Sequence, residues 1–153
     1  MNAICIVVAN RTDARIFARR EDGTLTEQET LICTEARQPD RAGLTDAPGR
    51  SHDRLGPGRH SIEPHTELAD QLARRFAQQI AERVEQGRTA NAWDDLVLVA
   101  GPEFLGFLRE ELGEQCRRKV VAECHKNIVT RDIETILAAL PEELQRRLRS
   151  PVE

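Results

Sequence analysis

A mixed five-stranded α/β sheet with helices on both faces is the fold class this sequence predicts, and three observations carry it. Ala3 to Ala9 (AICIVVA) and Asp95 to Ala100 (DLVLVA) are continuously apolar and rich in branched side chains, the look of strands covered on both faces. Between them Leu68, Leu72, Phe76, Ile80 and Val84 recur every four residues with alanines beside them, a broad apolar stripe of helical period. From Asp95 to His125 the order strand, helix, strand describes a parallel crossover. The 153 residues fit a single domain, 1–153, since a chain of that size buries about 68–70% of its unfolded surface.

In chain order, the first run is the expected central strand. Asn10 to Asp13 has turn chemistry and Ala14 to Arg19 resumes as a second strand, so the two form a hairpin. A weaker third strand spans about Thr24 to Thr34, where Thr, Glu and Gln suit an edge. The striped helix is expected to open at Glu63-Pro64 and to stop at Gly87. Gly101-Pro102-Glu103 starts a helix carrying Phe104, Leu105, Leu108 and Leu112, closed by Gly113. Lys119 to His125 reads as the fifth strand, Thr130 as the cap of a helix holding Ile133, Ile136, Leu137 and Leu140, and Pro141 as the break before a short amphipathic turn.

One stretch looks unlike core. Ala36 to His65 gathers three of the four histidines, four of the seven prolines, four of the nine glycines and five arginines. Proline removes donors and glycine raises the entropic cost of ordering, so a long loop is expected over 36–65. Loops beyond about 12–15 residues are uncommon in compact domains unless functional or disordered. The segment is therefore the candidate site.

Composition narrows the function. A net charge of −4 leaves no global basic field for nucleic acid or an anionic membrane, so any RNA contact must be local. Cys5, Cys33, Cys116 and Cys124 make no CxxC or zinc spacing and are expected as buried free thiols. The N-terminal run is too short for a signal peptide and no stretch nears the roughly 20 apolar residues of a membrane span, so a reduced, cytoplasmic protein without a membrane partner is expected. No cofactor and no metal site is expected. His52, Asp53, His60, Glu63 and His65 match no ligand motif, and Ser51 beside His52 is not a triad, because adjacency in sequence does not set the geometry. No catalytic residue is assigned. Gly101-Pro102, where a strand meets a helix, reads as a tight turn rather than an anion site, and His125-Lys126 could border the same end of the sheet.

VVANRTDARIF (Val7 to Phe17), DAPGRSHD (Asp46 to Asp53), DLVLVAGPEFLGFLREEL (Asp95 to Leu112) and VVAECHKNIVTRDI (Val120 to Ile133) together resemble the bacterial "protein required for attachment to host cells" family, nearly end to end and in order. That family is similar to the middle domain of archaeal and eukaryotic peptide-chain release factors and of Pelota, a layered, RNase H-like sandwich. The resemblance implies a loop after the third strand that, in release factors, carries Gly-Gly-Gln into the peptidyl transferase centre. Here Pro48-Gly49-Arg50-Ser51 and Gly56-Pro57-Gly58-Arg59 stand instead, and Gln38 follows no glycine pair. Position is kept and the hydrolytic residue is not.

The expectation is a non-enzymatic module acting on the ribosome, tRNA or rRNA through Gly49, Arg50, Ser51, His52, Asp53, Arg54, Gly58, Arg59 and His60. Guanidinium binds phosphate bidentately, and glycine lets backbone donors approach. A protein partner with an indirect effect on attachment is the alternative, and a hydrolase built on loop His and Asp residues the second. A direct adhesin is disfavoured by the lack of repeats and of a disulfide frame. Oligomeric state is open.

Overall fold

The computed structural model describes residues 3–19, 24–37 and 58–149, with side chains for 3–19, 24–35 and 67–148. Strand β1 (Ile4–Ala9) lies at the centre of the sheet, in the order β3-β2-β1-β4-β5. It pairs antiparallel with β2 (Asp13–Arg19) and parallel with β4 (Asp95–Ala100). β3 (Leu25–Ile32) and β5 (Val120–Cys124) form the two edges, antiparallel and parallel to their neighbours. All five strands fall where hydrophobic patterning places them.

Helix α1 (Thr34–Arg37) follows β3, and α2 (Gly58–Thr89) is the longest element, about 48 Å at 1.5 Å per residue. The crossover from β4 to β5 runs through α3 (Pro102–Glu111) and the short α4 (Glu114–Arg118). The chain closes with α5 (Ile133–Ala138) and α6 (Glu142–Arg149).

Because side chains alternate along a strand, β1 feeds two cores. Cys5, Val7 and Ala9 join Phe76, Ile80 and Val84 of α2 and Leu105 and Leu108 of α3. Ile4, Ile6 and Val8 join Phe17, Ile136, Leu140, Leu144 and Leu148 on the face covered by α5 and α6. Arg15 stitches that second face: its Nη1 donates to the carbonyls of Val129 at 2.9 Å and Arg131 at 2.6 Å, and its Nη2 pairs with Glu27 at 2.9 Å.

Both edge strands hold an extra residue. Phe17 faces Glu27 and Ile16 faces Glu29, leaving Gln28 over; Leu96 faces Val120 and Val97 faces Ala122, leaving Val121 over. Such bulges twist an edge and spoil its use as a template for another chain.

Five sequence expectations are corrected. α2 opens at Gly58 rather than Glu63-Pro64, so Gly58, Arg59 and His60 are helical, not loop. Pro64 removes one backbone bond there and crowds the carbonyl of residue 60, a cost of about 3 kcal/mol, against which extending an existing helix gains a bond for each residue fixed. At its other end α2 passes Gly87 and stops at Thr89. The left-handed place belongs to Asn91 (φ 58), with Ala92 N–H on the Gly87 carbonyl at 2.8 Å and Asn91 N–H on that of Arg88 at 3.0 Å, the Schellman pattern. Gly113 is no left-handed stop either: with φ −69 it caps the start of α4, a turn the sequence pattern did not announce. Asp132, not Thr130, caps α5, its carboxylate accepting from Thr135 N–H at 3.0 Å. Finally, Leu68 at the head of the stripe is 54% exposed, because α2 there runs beside the β1–β2 turn and not over the sheet.

Candidate functional site

Gly49, Arg50, Ser51, His52, Asp53 and Arg54 lie outside the described residues. Gly58, Arg59 and His60 form the first turn of α2. The structure thus defines the two stems of the candidate segment. It leaves from α1, whose Glu35 meets Arg75 of α2 at 3.6 Å, and returns into the start of α2. Cys33 N–H donates to the Thr12 carbonyl at 2.9 Å, tying the departing stem to the β1–β2 turn.

That turn is built by Asn10. Its Oδ1 accepts from Thr12 N–H at 2.8 Å and Asp13 N–H at 2.7 Å, a side chain standing in for a backbone turn. The turn projects Arg11 between helices. Its Nη1 donates to the Ala69 carbonyl at 3.2 Å, and its Nη2 meets Asp70 at 3.2 Å and also Glu103. Desolvation opposes the Arg11 charge, but the bonds to Glu103 and Asp70 outweigh it and hold the guanidinium above its usual range. Phe107 lies against both Arg11, at 5.6 Å, and Arg74, at 4.8 Å.

Around Arg11 the surface opens into a groove of about 470 Å³. Leu68, Ala69, Leu72 and Ala73 of α2 make its apolar wall, and Arg11, Thr12, Glu35 and Arg75 its border. Arg75 is 64% exposed. Sequence reasoning missed this groove. Its one available signal was a large apolar pair, Leu68 and Leu72, continuing the stripe toward a segment too polar to cover it.

Two other cavities differ in chemistry. One of about 590 Å³ runs beside α2 and α4 and is lined by Glu82, Glu85, Glu111 and Glu114. Glu85 is held below the usual carboxylate range by Arg88 and accepts the Cys116 thiol at 3.1 Å. Another of about 350 Å³ opens at the carboxyl ends of β1 and β4, against Asn10, Gly101 and Asn127. Gly101 caps α3 in extended conformation, φ −60 and ψ 159, so the tight-turn expectation holds. Glu103 sits in that first turn with Arg11, a carboxylate where an anion would have to approach. His125 and Lys126 follow β5 and are exposed.

All four cysteines are free and buried, as expected. Burial, with the nearby Cys116 thiol, pushes Cys5 up to about 12. Burial first, and then the bond to Glu85, raises Cys116 to about 11. Among the described residues no group of three or more His, Cys, Asp or Glu is placed to hold a metal ion, and no helix is long and apolar enough to cross a membrane.

A five-stranded α/β domain with a Pro/Gly/Arg segment between its third strand and its longest helix is the class that fold and site define. It is the fold found in archaeal translation termination factor aRF1, whose crystal structure matches at a TM-score of 0.50 and 11% identity over 90% of this chain and 33% of that one. A structure described as an archaeal protein matches at 0.54 and 10% identity, over 96% of this chain and 36% of its own. The chain belongs to the family described as protein required for attachment to host cells, whose model matches residues 5–140. An uncharacterized protein, RP470, of Rickettsia prowazekii (strain Madrid E) is 30% identical over 81 residues, 52% of this chain. The chain spans about half the length of that curated relative, 54%.

Proposed function

We propose that this chain is a non-enzymatic, cytoplasmic RNA-contacting module, its partner class ribosomal RNA or tRNA, acting through the segment that joins α1 to α2. The observation that supports the reading most is positional. The segment follows the third strand and enters the longest helix, where the release-factor resemblance puts the element that reaches into the ribosome. Its chemistry suits phosphate: Arg50, Arg54 and Arg59 carry planar guanidinium donors, and Gly49 and Gly58 have no side chain to keep a phosphate from the backbone. Ser51, His52, Asp53 and His60 would then be polar neighbours that orient the grip. With no Gly-Gly-Gln the segment binds and does not hydrolyse, and any effect on attachment to host cells is exerted indirectly, through translation.

Co-sedimentation with ribosomes at low and high salt, beside an Arg50, Arg54, Arg59 triple alanine variant, tests this. The expected result is wild-type association at low salt, lost at high salt and lost in the variant. No association of the wild type at either salt overturns the reading. Association that survives high salt and the triple substitution would assign the contact to an apolar protein interface instead.

A further inference from the structure

We propose that the cavity of about 350 Å³ at the carboxyl ends of β1 and β4 binds a small neutral polyol, a single monosaccharide ring, between the side-chain amides of Asn10 and Asn127. Its lining residues all lie outside the segment that joins α1 to α2, so the inference stands apart from the RNA-contacting reading.

Position is the first argument. β1 and β4 run parallel side by side, but the chain leaves β1 toward β2 and leaves β4, through α3, toward β5 on the other side. Where neighbouring parallel strands send their connections in opposite directions, a crevice opens beyond their carboxyl ends, the place where open α/β sheets take ligands. The volume lies at the small end of the range of about 300–1,000 Å³ that ligand cavities span, a size for one ring.

A glycine is the second. Gly101 lines the cavity in an extended conformation, φ −60 and ψ 159, that any residue adopts, and a Cβ on it would meet no atom within 4 Å. Neither backbone nor packing asks for glycine. It also leaves α3 without the side-chain cap that serine, aspartate or asparagine would give. What the missing side chain does is keep the cavity open.

The third is the set of uncommitted groups, which selects the ligand. Asn10 Oδ1 is held by Thr12 N–H at 2.8 Å and Asp13 N–H at 2.7 Å, so its Nδ2 is left as a free donor. Asn127 is exposed and has no hydrogen-bond partner among the described residues. Glu103 meets Arg11 through one oxygen and keeps the other as an acceptor. Donors and acceptors therefore stand together. Hydroxyls both give and take, whereas a phosphate brings only acceptors, toward Glu103, and an ammonium only donors, toward Arg11 and Asn10. A nucleobase needs a flat face to stack on, and Phe104 is 4% exposed, packed at 6.1 Å from Phe76 and 6.4 Å from Phe107. The exposed ring of Pro102 gives instead an apolar seat for the C–H face of a sugar.

The test is an NMR titration of the isotopically labelled full chain with D-glucose, D-galactose and D-ribose, followed at the amide signals of Asn10, Gly101 and Asn127. At least one sugar should shift all three saturably in the millimolar range, while inorganic phosphate, ethanolamine, cyclohexanol and N-methylacetamide do not. Two variants accompany it, both expected to keep the wild-type backbone spectrum away from the cavity. Asn127→Ala loses two hydrogen bonds to the sugar and should weaken binding at least about tenfold. Gly101→Leu fills the cavity and should abolish binding. The Arg50, Arg54, Arg59 triple alanine variant should bind the sugar as wild type does. No saturable shift with any of the three sugars overturns the proposal, as does undiminished binding in both cavity variants. Saturation by phosphate or ethanolamine alone would make this an ion site, and by N-methylacetamide alone a site for a peptide group; either result overturns the polyol.

Discussion

At the scale of single residues, packing and charge pairing make separable claims. Phe76 is 1% exposed between α2 and the sheet and meets Phe104 at 6.1 Å between ring centroids. Phe76→Ala should cost about 3–5 kcal/mol, read as a shift in urea midpoint without a change in slope. Gly87 makes a different point. A Cβ there would stand 2.7 Å from Trp93 Nε1, so Gly87→Ala, normally favourable inside a helix, should destabilise by about 1–3 kcal/mol. Trp93 is the only tryptophan, so its fluorescence reports the displacement directly; an unchanged spectrum with raised stability would contradict the packing. For pH, Arg15 holds the Glu27 carboxyl below its ordinary 4.5, and Arg109 does the same to Glu123. A depressed folded-state value means the stabilisation is complete above about 4.5 and is lost as pH falls through the lower, folded value. Acid titration of stability should therefore be less steep in Glu27→Gln than in wild type.

Among elements, the end of α2 and the sheet edges carry the tests. Asn91 occupies the left-handed position that sequence reasoning gave to Gly87. Asn91→Gly should be neutral or slightly stabilising, and Asn91→Val should cost about 1–2 kcal/mol, measured by thermal melting. The strands were legible because burial on two faces writes an unbroken apolar run, as in β1 and β4, and burial on one writes a weak alternating one, as in β3. Helix ends were less so. Gly87 stays inside α2 with Trp93, six residues on, packed back against it, a contact that residue types alone do not announce. Likewise α4 is a single turn with too few residues for a period. Its one core contribution, Cys116, looked like any small apolar residue.

For the whole molecule, two cores around one sheet predict that the thiols are protected together. Cys5 and Cys116 are buried and pushed up to about 12 and about 11, so little thiolate forms at neutral pH. Reaction with a thiol reagent should follow global unfolding, with all four cysteines appearing at one rate; early labelling of either would contradict the shared core. The candidate site was half legible at this scale. Composition marked the segment 36–65, because arginine, glycine and proline crowd where apolar residues are few. The groove at its base was not marked, since Leu68 and Leu72 are written like the buried stripe and only the geometry of α2 beyond the sheet leaves them open.

The central claim is that the segment's arginines hold RNA phosphates, and its most direct measurement is the salt dependence of binding to a single-stranded RNA for wild type and the Arg50, Arg54, Arg59 triple alanine variant. The claim predicts a linear fall of log K with log salt, and a variant slope shallower by about 0.7 for each phosphate contact removed, about 2 in all. A wild-type affinity indifferent to salt, or the same slope in both proteins, would contradict it.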